Sequence, residues 1–158
     1  MTLPVIPVSR RSGGVHVDGM EALREIVRLR TASAGLSLDD FFAEPALLER
    51  LCRLSGGHMR NLFILIRSSI ERCPALPVTA EAVERTVRQQ AADIGLPIRS
   101  QDKDALLSVH ASKAPYDKDP DLWYELLRDQ QVFTYADSQG LWYDWSPLFG
   151  ELWERGTR

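Results

Sequence analysis

The amino-acid sequence predicts a mainly α-helical fold with one small β-hairpin: a four-helix bundle followed by a smaller helical module that carries the hairpin. Over most of the first hundred residues, apolar side chains recur at spacings of three and four, which is typical of amphipathic helices. Pro and Gly residues interrupt this pattern where helices are expected to begin and end. Near the C-terminus, two runs of β-branched and aromatic residues flank a turn, which favours a hairpin.

The first segment, residues 1–17, is predicted to be a strand-like stretch followed by a loop. Residues 3–8 carry strand-forming side chains, but two prolines among them cannot donate to a β-ladder and confine the stretch to a sheet edge. Asp18 with Glu21 three residues later forms a capping-box pattern. Helix one is therefore expected to begin there and to run to about Ala34.

Three more helices complete the predicted bundle. Pro45 suits a first helical position and opens a helix that ends near Gly56, since glycine is the usual residue just past a helix. The next helix follows almost at once and is expected to run to about Cys73. Thr79 is a good N-cap for the fourth helix, which Gly95 closes.

A Pro-containing stretch, 95–100, interrupts the helical pattern and is the predicted domain boundary. It divides a helical domain, 18–96, from a C-terminal module, 100–158. The module is expected to end on a short hydrophobic segment, 145–149. The sequence shows no internal repeat and no low-complexity tract.

The C-terminal module is predicted to contain two helices and then the hairpin. The first helix spans about 102–111, and the second begins at Asp119, which is followed by proline. The strands are expected at 132–135 and 141–145, and the turn between them at 136–140.

The aromatic residues of this module fit either a binding role, in which they stack on bases or contact a partner, or a core role, and both stay open at this point. Tyr135, Trp142 and Tyr143 are the candidates for binding a protein partner, since aromatic side chains offer large contact areas. The alternative, which we favour, is that the aromatic residues form the core. A module this small needs large side chains to bury enough apolar area.

Composition and charge limit the function classes. The 158 residues carry 19 Lys and Arg against 22 Asp and Glu, a net charge of −3, and the basic residues are scattered. This argues against nucleic acid as the main partner. No apolar run approaches the roughly 20 residues needed to cross a bilayer, so no membrane is implied. Cys52 and Cys73 lie among apolar neighbours, which favours buried thiols and a cytoplasmic location.

The most distinctive local pattern is the run from Ser55 to Asn61, where a glycine pair ends one helix and Arg60 stands in the first turn of the next. The helix dipole is positive at that end and favours Asp or Glu there. Arg60 is therefore either an ordinary solvated arginine or a group placed to contact an anion, with His58 as its neighbour.

Four runs of the chain stand in a distinctive order: LPVIPV from Leu3, GMEALREIVRLR from Gly19, LSGGHMRNL from Leu54 and VTAEAVER from Val78. Together they resemble the C-terminal part of bacterial AAA+ and STAND-type P-loop ATPases over nearly the whole chain. The resemblance implies that 1–17 is a remnant of the nucleotide-binding core, that the four helices form a lid, and that the C-terminal module is a winged helix.

The glycine pair and the arginine are similar to the sensor-2 motif of that family. The resemblance implies that Gly56, Gly57, His58 and Arg60 form a nucleotide-sensing element, in which the arginine contacts the phosphates of ATP. A guanidinium is a permanently charged fork that matches phosphate oxygens, so the chemistry agrees with the resemblance.

The chain departs from the family in the residues that hydrolyse ATP. It contains neither a Gly-x-x-x-x-Gly-Lys-Ser/Thr loop nor a hydrophobic strand ending in paired acids. We therefore expect no enzyme activity from this chain alone. We expect ATP or ADP with Mg²⁺ to be bound only when a P-loop core is present. The expected partner is such a core or another protein, and a homo-oligomer is compatible with the resemblance. The chain is expected to be a fragment or a stand-alone lid and winged helix.

Two other functions stay open as alternatives. A DNA-binding winged helix is not favoured, because the second module helix is acidic and no Lys or Arg occurs in 132–144. A nucleotide-independent adaptor would capture a protein partner through the same module. His16, His58 and His110 lack helical spacing, so neither a zinc site nor a histidine triad is expected.

Overall fold

A computed structural model describes residues 4–95 and 99–156 of the chain. Its described residues confirm a mainly α-helical fold with one small antiparallel hairpin. The elements are α1 (Val17–Ala32), α2 (Leu38–Phe41), α3 (Pro45–Leu54), α4 (Met59–Ile70), α5 (Ala80–Gly95), α6 (Ser100–Ser112), α7 (Pro120–Arg128), β1 (Val132–Asp137), β2 (Gly140–Trp145) and α8 (Pro147–Gly156).

The chain folds into two compact units, which we call the N-terminal and the C-terminal unit. The N-terminal unit comprises Ile6–Gln90, and the C-terminal unit comprises Met1–Val5 with Ala91–Arg158. The division falls within α5, earlier than the predicted boundary at 95–100. That predicted boundary lies partly outside the described residues, at 96–98.

The N-terminal unit is built on α1, α3 and α4. Helix α3 packs against both α1 and α4, and the short α2 packs against α1. Apolar residues at helical spacing form the buried faces of these helices, among them Leu23 and Val27 in α1 and Leu62 and Ile66 in α4, whereas Ile70 at the end of α4 is exposed. The deeply buried apolar side chains of this unit include Leu23, Val27, Leu51, Leu62, Leu65, Val78, Val83 and Val87.

The N-terminal segment is less regular than predicted. Residues 4–7 belong to no helix or strand, and residue 3 lies outside the described part. The N–H of Val5 donates to the carbonyl oxygen of Thr134 at 3.0 Å, and Ser9 pairs with Val15 in an isolated bridge. The prolines explain the absence of a longer ladder, since they carry no N–H to donate.

Helix α1 begins at Val17 with His16 as its N-cap, so the predicted capping box of Asp18 and Glu21 is wrong. Two helices of the N-terminal unit also end earlier than predicted. Helix α4 ends at Ile70 and not near Cys73, because the N–H groups of Arg72 and Cys73 turn to the carbonyls of Ser69 and Ile70. Such tighter bonds are common in the last turn of a helix. Helix α1 ends two residues earlier than predicted, which is within the ordinary variation of helix ends.

Two helices are additional to the predicted ones. Helix α2 has four residues, too few to show a period, and begins with a capping box between Ser37 and Asp40. Helix α8 occupies the segment predicted only as hydrophobic, and it begins with Pro147. Phe149 in α8 is buried against the same core as Val132.

The C-terminal unit packs α6, α7, α8 and the hairpin around an apolar cluster, and Phe133, Tyr135 and Trp142 form a second, smaller cluster. Helix α6 contacts β2 and α7, and α7 also contacts β1. The strands pair antiparallel from Val132 opposite Trp145 to Asp137 opposite Gly140. The buried cluster contains Ala105, Leu106, Val109, Leu122, Leu126, Val132 and Phe149.

Within the described ranges, every helix is either too short or too polar to cross a membrane.

Candidate functional site

The glycine pair forms the turn between α3 and α4. Gly56 has φ +62° and Gly57 has φ +79°, a left-handed conformation that glycine adopts at little cost. The hydroxyl of Ser55 accepts the N–H of Gly57 at 3.1 Å and donates to the carbonyl of Cys52 at 2.7 Å. The turn is therefore held by the residue that ends α3.

The second glycine also lies directly against the N-terminal segment. A Cβ atom at Gly57 would overlap the carbonyl oxygen of Ile6. The next carbonyl of that segment, from Pro7, lies equally close to Gly19 in the first turn of α1. Two glycines distant in sequence thus allow two consecutive carbonyl groups to approach the helices. The sequence pattern predicted a turn and a nucleotide-sensing role for Gly57, but not this close approach of the N-terminal segment.

Helix α4 begins without a side-chain cap. His58 is its N-cap residue, but the His58 side chain makes no capping hydrogen bond, and the first turn contains no acidic residue. The first N–H groups of a helix lack intrahelical acceptors and carry the positive end of the helix dipole. The start of α4 therefore presents backbone donors and a positive potential.

Arg60 is the second residue of α4 and its side chain is exposed. In the described part of the chain, no ion pair joins Arg60 to a carboxylate. Arg67, on the same helix face two turns later, is paired with Glu71 at 2.8 Å. The two arginines share a helix face and differ in their partners, so Arg60 has its charge available for an anion.

His58 is half-buried beside this arginine. Burial lowers the pKa of His58 below its ordinary value of 6.5, and the positive charge of Arg60 lowers it further. Both causes favour the neutral imidazole in the folded state. An anion bound at Arg60 would oppose the second cause, so the pKa of His58 reports on the occupancy of the site.

The lowered pKa of His58 predicts a specific pH dependence of stability. The unfolded chain takes up a proton at His58 near pH 6.5, whereas the folded chain resists it, so the free energy of unfolding falls as the pH drops below that value. In His58→Gln this contribution is expected to disappear. Urea denaturation of both proteins from about pH 7 down to about pH 5, a range that spans the ordinary histidine pKa and the region below it, measures the difference. Parallel pH profiles for the two proteins would contradict it.

The other two histidines have local roles in the structure. The Nδ1 atom of His16 accepts the N–H of Gly19 at 3.1 Å and caps α1. His110 lies in the C-terminal unit, where its Nδ1 atom is 2.7 Å from Oδ1 of Asp144. Over 4–95 and 99–156, His, Cys, Asp and Glu residues form no group arranged to hold a metal ion.

A polar cluster around Asp144 is a feature that the sequence analysis missed. The second carboxylate oxygen of Asp144 accepts from Nζ of Lys113 at 2.6 Å, and the His110 ring stacks on Trp145 with centroids 3.9 Å apart. The backbone N–H of Tyr143 donates to the carbonyl of Lys113 at 3.1 Å. These contacts tie the end of α6 to β2. Because they join residues about thirty positions apart, no local sequence pattern could have indicated them.

The partner-binding candidates of the hairpin differ in exposure. Tyr135 and Trp142 are each only 1% exposed and stack with ring centroids 4.4 Å apart. Burial also raises the pKa of Tyr135. Tyr143 is half-buried, and its ring packs on that of Trp123 in a T-shaped arrangement with the ring centroids 5.1 Å apart. The burial of Tyr135 and Trp142 favours the core role over contact with a partner.

The cysteines correct one prediction. Cys52 is buried in α3, and burial raises the pKa of its thiol to about 12. Cys73 is only half-buried and lies in the turn after α4, so the prediction of two buried thiols is wrong for Cys73. The helix that was expected to bury Cys73 ends at Ile70.

Comparisons with known proteins give no relative. No protein-family model matches the chain, and neither the curated proteins nor the solved structures contain a significant match. The residues around Arg60 and the resemblance of the motifs are therefore the grounds on which a function can be argued.

Proposed function

We propose that this chain is the non-catalytic lid and winged-helix region of an AAA+ or STAND-like ATPase, in which Arg60 senses bound nucleotide. The observation that carries the proposal is the state of Arg60: exposed, without a carboxylate partner among the described residues, and placed at the uncapped start of α4. Gly56 and Gly57 hold this helix start in position.

Phosphate is the ligand that this arrangement suits best. Backbone N–H groups at a helix start attract anions, and the guanidinium of Arg60 adds a charged fork with several donors. Charge-assisted hydrogen bonds of this kind are stronger than neutral ones. The low pKa of His58 keeps that neighbour neutral, so it adds a polar ring to the site and no second charge near neutral pH.

The sensing mechanism follows from a contact that exists in only one nucleotide state. A P-loop core, in the same polypeptide or in a partner, would hold ATP and Mg²⁺. This chain lacks both the glycine-rich phosphate loop and the strand ending in paired acids that would bind them. Arg60 would contact the terminal phosphates and draw the lid towards the core, and loss of the phosphate would release it. Such a differential contact is what a nucleotide switch requires. We place this function in the cytoplasm.

The winged-helix region would pass the nucleotide state to a protein partner. Exposed apolar side chains in this unit, Tyr124 at 69% and Leu141 at 55%, suit contact with protein. DNA is disfavoured as the partner because the hairpin strands contain only acidic charges and α7 carries Asp121 and Glu125. A duplex would be repelled by such a surface.

Arg60→Ala is expected to weaken nucleotide binding by about 10- to 100-fold in a protein that contains the P-loop core, since a hydrogen bond to a charged group contributes roughly 1.5–3 kcal/mol. ATP affinity, measured by calorimetry, and ATP turnover are the readouts. Arg60→Lys should keep part of the affinity, because it retains the charge and loses the fork.

Arg67→Ala is the matched control for this experiment. It removes the same side chain from the same helix face, but from a residue paired with Glu71. Nucleotide affinity should be unchanged in this variant. Equal effects of the two substitutions, or no effect of either, would contradict the sensing role of Arg60. In the chain itself, pyrophosphate should raise the pKa of His58, measured by NMR, and this rise should vanish in Arg60→Ala.

A further inference from the structure

The C-terminal unit contains a second polar site, a cavity of about 220 Å³ that the proposed nucleotide function does not use. It lies between the start of α6 and the last turns of α7. Leu122 and Leu126 form an apolar wall, and the rest of the lining is charged or polar. The polar lining residues are Arg99, Asp102, Glu125, Arg128, Asp129 and Gln131.

The cations that line the cavity are already engaged by carboxylates. The guanidinium of Arg99 contacts Asp102 at 3.2 Å and Glu125 at 3.0 Å. Arg128 pairs with Asp129 at 2.8 Å. Three carboxylates face two guanidinium groups, so the lining carries one net negative charge. An anionic ligand would have to compete with these carboxylates, whereas a cation would complete the charge balance.

Among the residues that the structure describes, two buried oxygen atoms of the lining lack a hydrogen-bond donor. Gln131 is 9% exposed, and its Oε1 atom has no hydrogen-bond partner among the described residues. Asp102 is 3% exposed, and its Oδ1 atom meets only the Arg99 guanidinium, at 3.2 Å and outside hydrogen-bonding geometry. Buried acceptors without donors are unfavourable, so a group that donates to them is expected in the cavity.

The position of Gln131 is fixed by its backbone. Its N–H donates to the carbonyl of Leu126 at 2.9 Å, and its carbonyl accepts the N–H of Ser146 at 2.7 Å. The backbone from which the side chain extends is therefore held at the junction of α7, β1 and α8. This rigidity is typical of a formed site, because little conformational freedom is lost when a ligand binds.

We propose that this cavity binds a primary alkylammonium group. The ammonium supplies N–H donors to Oε1 of Gln131 and Oδ1 of Asp102 and neutralises the excess negative charge. The alkyl chain lies against the small apolar surface that Leu122 and Leu126 leave uncovered in the cavity, since these side chains are 5% and 2% exposed. The same chemistry is offered by a free amine and by a lysine side chain of a partner protein.

A titration with n-butylammonium chloride tests the proposal on the full chain. The side-chain amide signals of Gln131 and the methyl signals of Leu122 and Leu126 should shift and saturate in NMR spectra. Tetramethylammonium chloride carries the same charge without N–H donors and should give no saturable shift. If both salts act alike, or if neither shifts these signals, the cavity holds only water and the proposal is wrong.

Substitutions identify the groups responsible. Gln131→Met removes the unpaired acceptor and Glu125→Gln removes one negative charge, and each should weaken butylammonium binding by about fivefold or more, the scale of one hydrogen bond or charge contact. Asp121→Asn is the control, since it removes a charge from the same helix outside the cavity. Equal butylammonium affinities in the unchanged chain and in all three variants would overturn the proposal. Because Gln131→Met could disturb folding, Glu125→Gln carries the test if the hairpin amide signals of Gln131→Met are lost.

Two further ligands distinguish the sources of the ammonium group. Tighter binding of spermidine than of butylammonium would indicate a free amine, and tighter binding of amide-blocked lysine would indicate a lysine of a partner protein. Both results support the site itself. The nucleotide experiments on Arg60 are independent of this outcome, because the two sets of residues do not overlap.

Discussion

Gly57→Ala is expected to destabilise the N-terminal unit by about 4 kcal/mol, which is at the upper end of single substitutions. Two effects add at this position. An alanine at φ +79° is strained by roughly 1–2 kcal/mol. Its Cβ atom would also overlap the carbonyl oxygen of Ile6, so the N-terminal segment or the turn must move. Urea denaturation followed by circular dichroism measures the loss.

Gly35→Ala is the matched control for Gly57→Ala. Gly35 has a similar φ of +77°, but a Cβ atom there would meet nothing within 4 Å. Backbone strain alone should therefore destabilise Gly35→Ala, and its free energy of unfolding should fall by about 1–2 kcal/mol. The difference between the two variants therefore isolates the contact with Ile6. Equal losses would show that the close approach of the N-terminal segment does not contribute to stability.

Gly19→Ala is expected to lower the free energy of unfolding by about 3 kcal/mol, although alanine normally stabilises a helix interior by about 1 kcal/mol relative to glycine. Gly19 lies in the first turn of α1, and a Cβ atom there would overlap the carbonyl oxygen of Pro7. Gly150→Ala in α8 is the control, because its Cβ atom would meet Trp145 only at ordinary contact distances of 3.5 Å or more. It should be neutral or slightly stabilising. Destabilisation of the two variants by similar amounts would contradict the explanation.

The two glycines should be coupled through the segment that they contact. Both substitutions displace the same backbone, since Ile6 and Pro7 are consecutive. The double variant is therefore expected to lose less free energy of unfolding than the sum of the two single losses, by about 1 kcal/mol or more. If the two losses in free energy of unfolding simply add, the two substitutions act independently and the coupling through Ile6 and Pro7 is contradicted. In the nucleotide experiments, Gly57→Ala should also reduce the contribution of Arg60, because the turn positions the start of α4.

Long periodic elements could be predicted from the sequence because their signals are local. Helix α3 begins at Pro45 and ends just before the glycine pair as expected, and α7 begins after its Asp119 cap. Both strands of the hairpin lie where the aromatic and β-branched runs indicated. Elements without a local period were missed: α2 is a single helical turn, and α8 follows the hairpin so closely that its apolar residues resembled a closing segment.

The candidate site could be predicted only in part. The position of Arg60 at the start of a helix follows from the glycine pair and from the apolar spacing after it. Its lack of a carboxylate partner within the described ranges, and the effect of its charge on His58, depend on which side chains lie nearby in space. The buried acceptor of Gln131 gave no sequence signal, because a glutamine in a turn is ordinarily exposed.

The sequence by itself determined the helices other than α2 and α8, the hairpin and the place of an arginine at a helix start, since capping, glycine turns and apolar periodicity act between residues a few positions apart. Only the tertiary structure decided the close contacts of Ile6 with Gly57 and of Pro7 with Gly19, and the pairing of His110 with Asp144. These contacts join distant residues, and their distances are set by how the helices pack. Local sequence patterns carry no information about such distances.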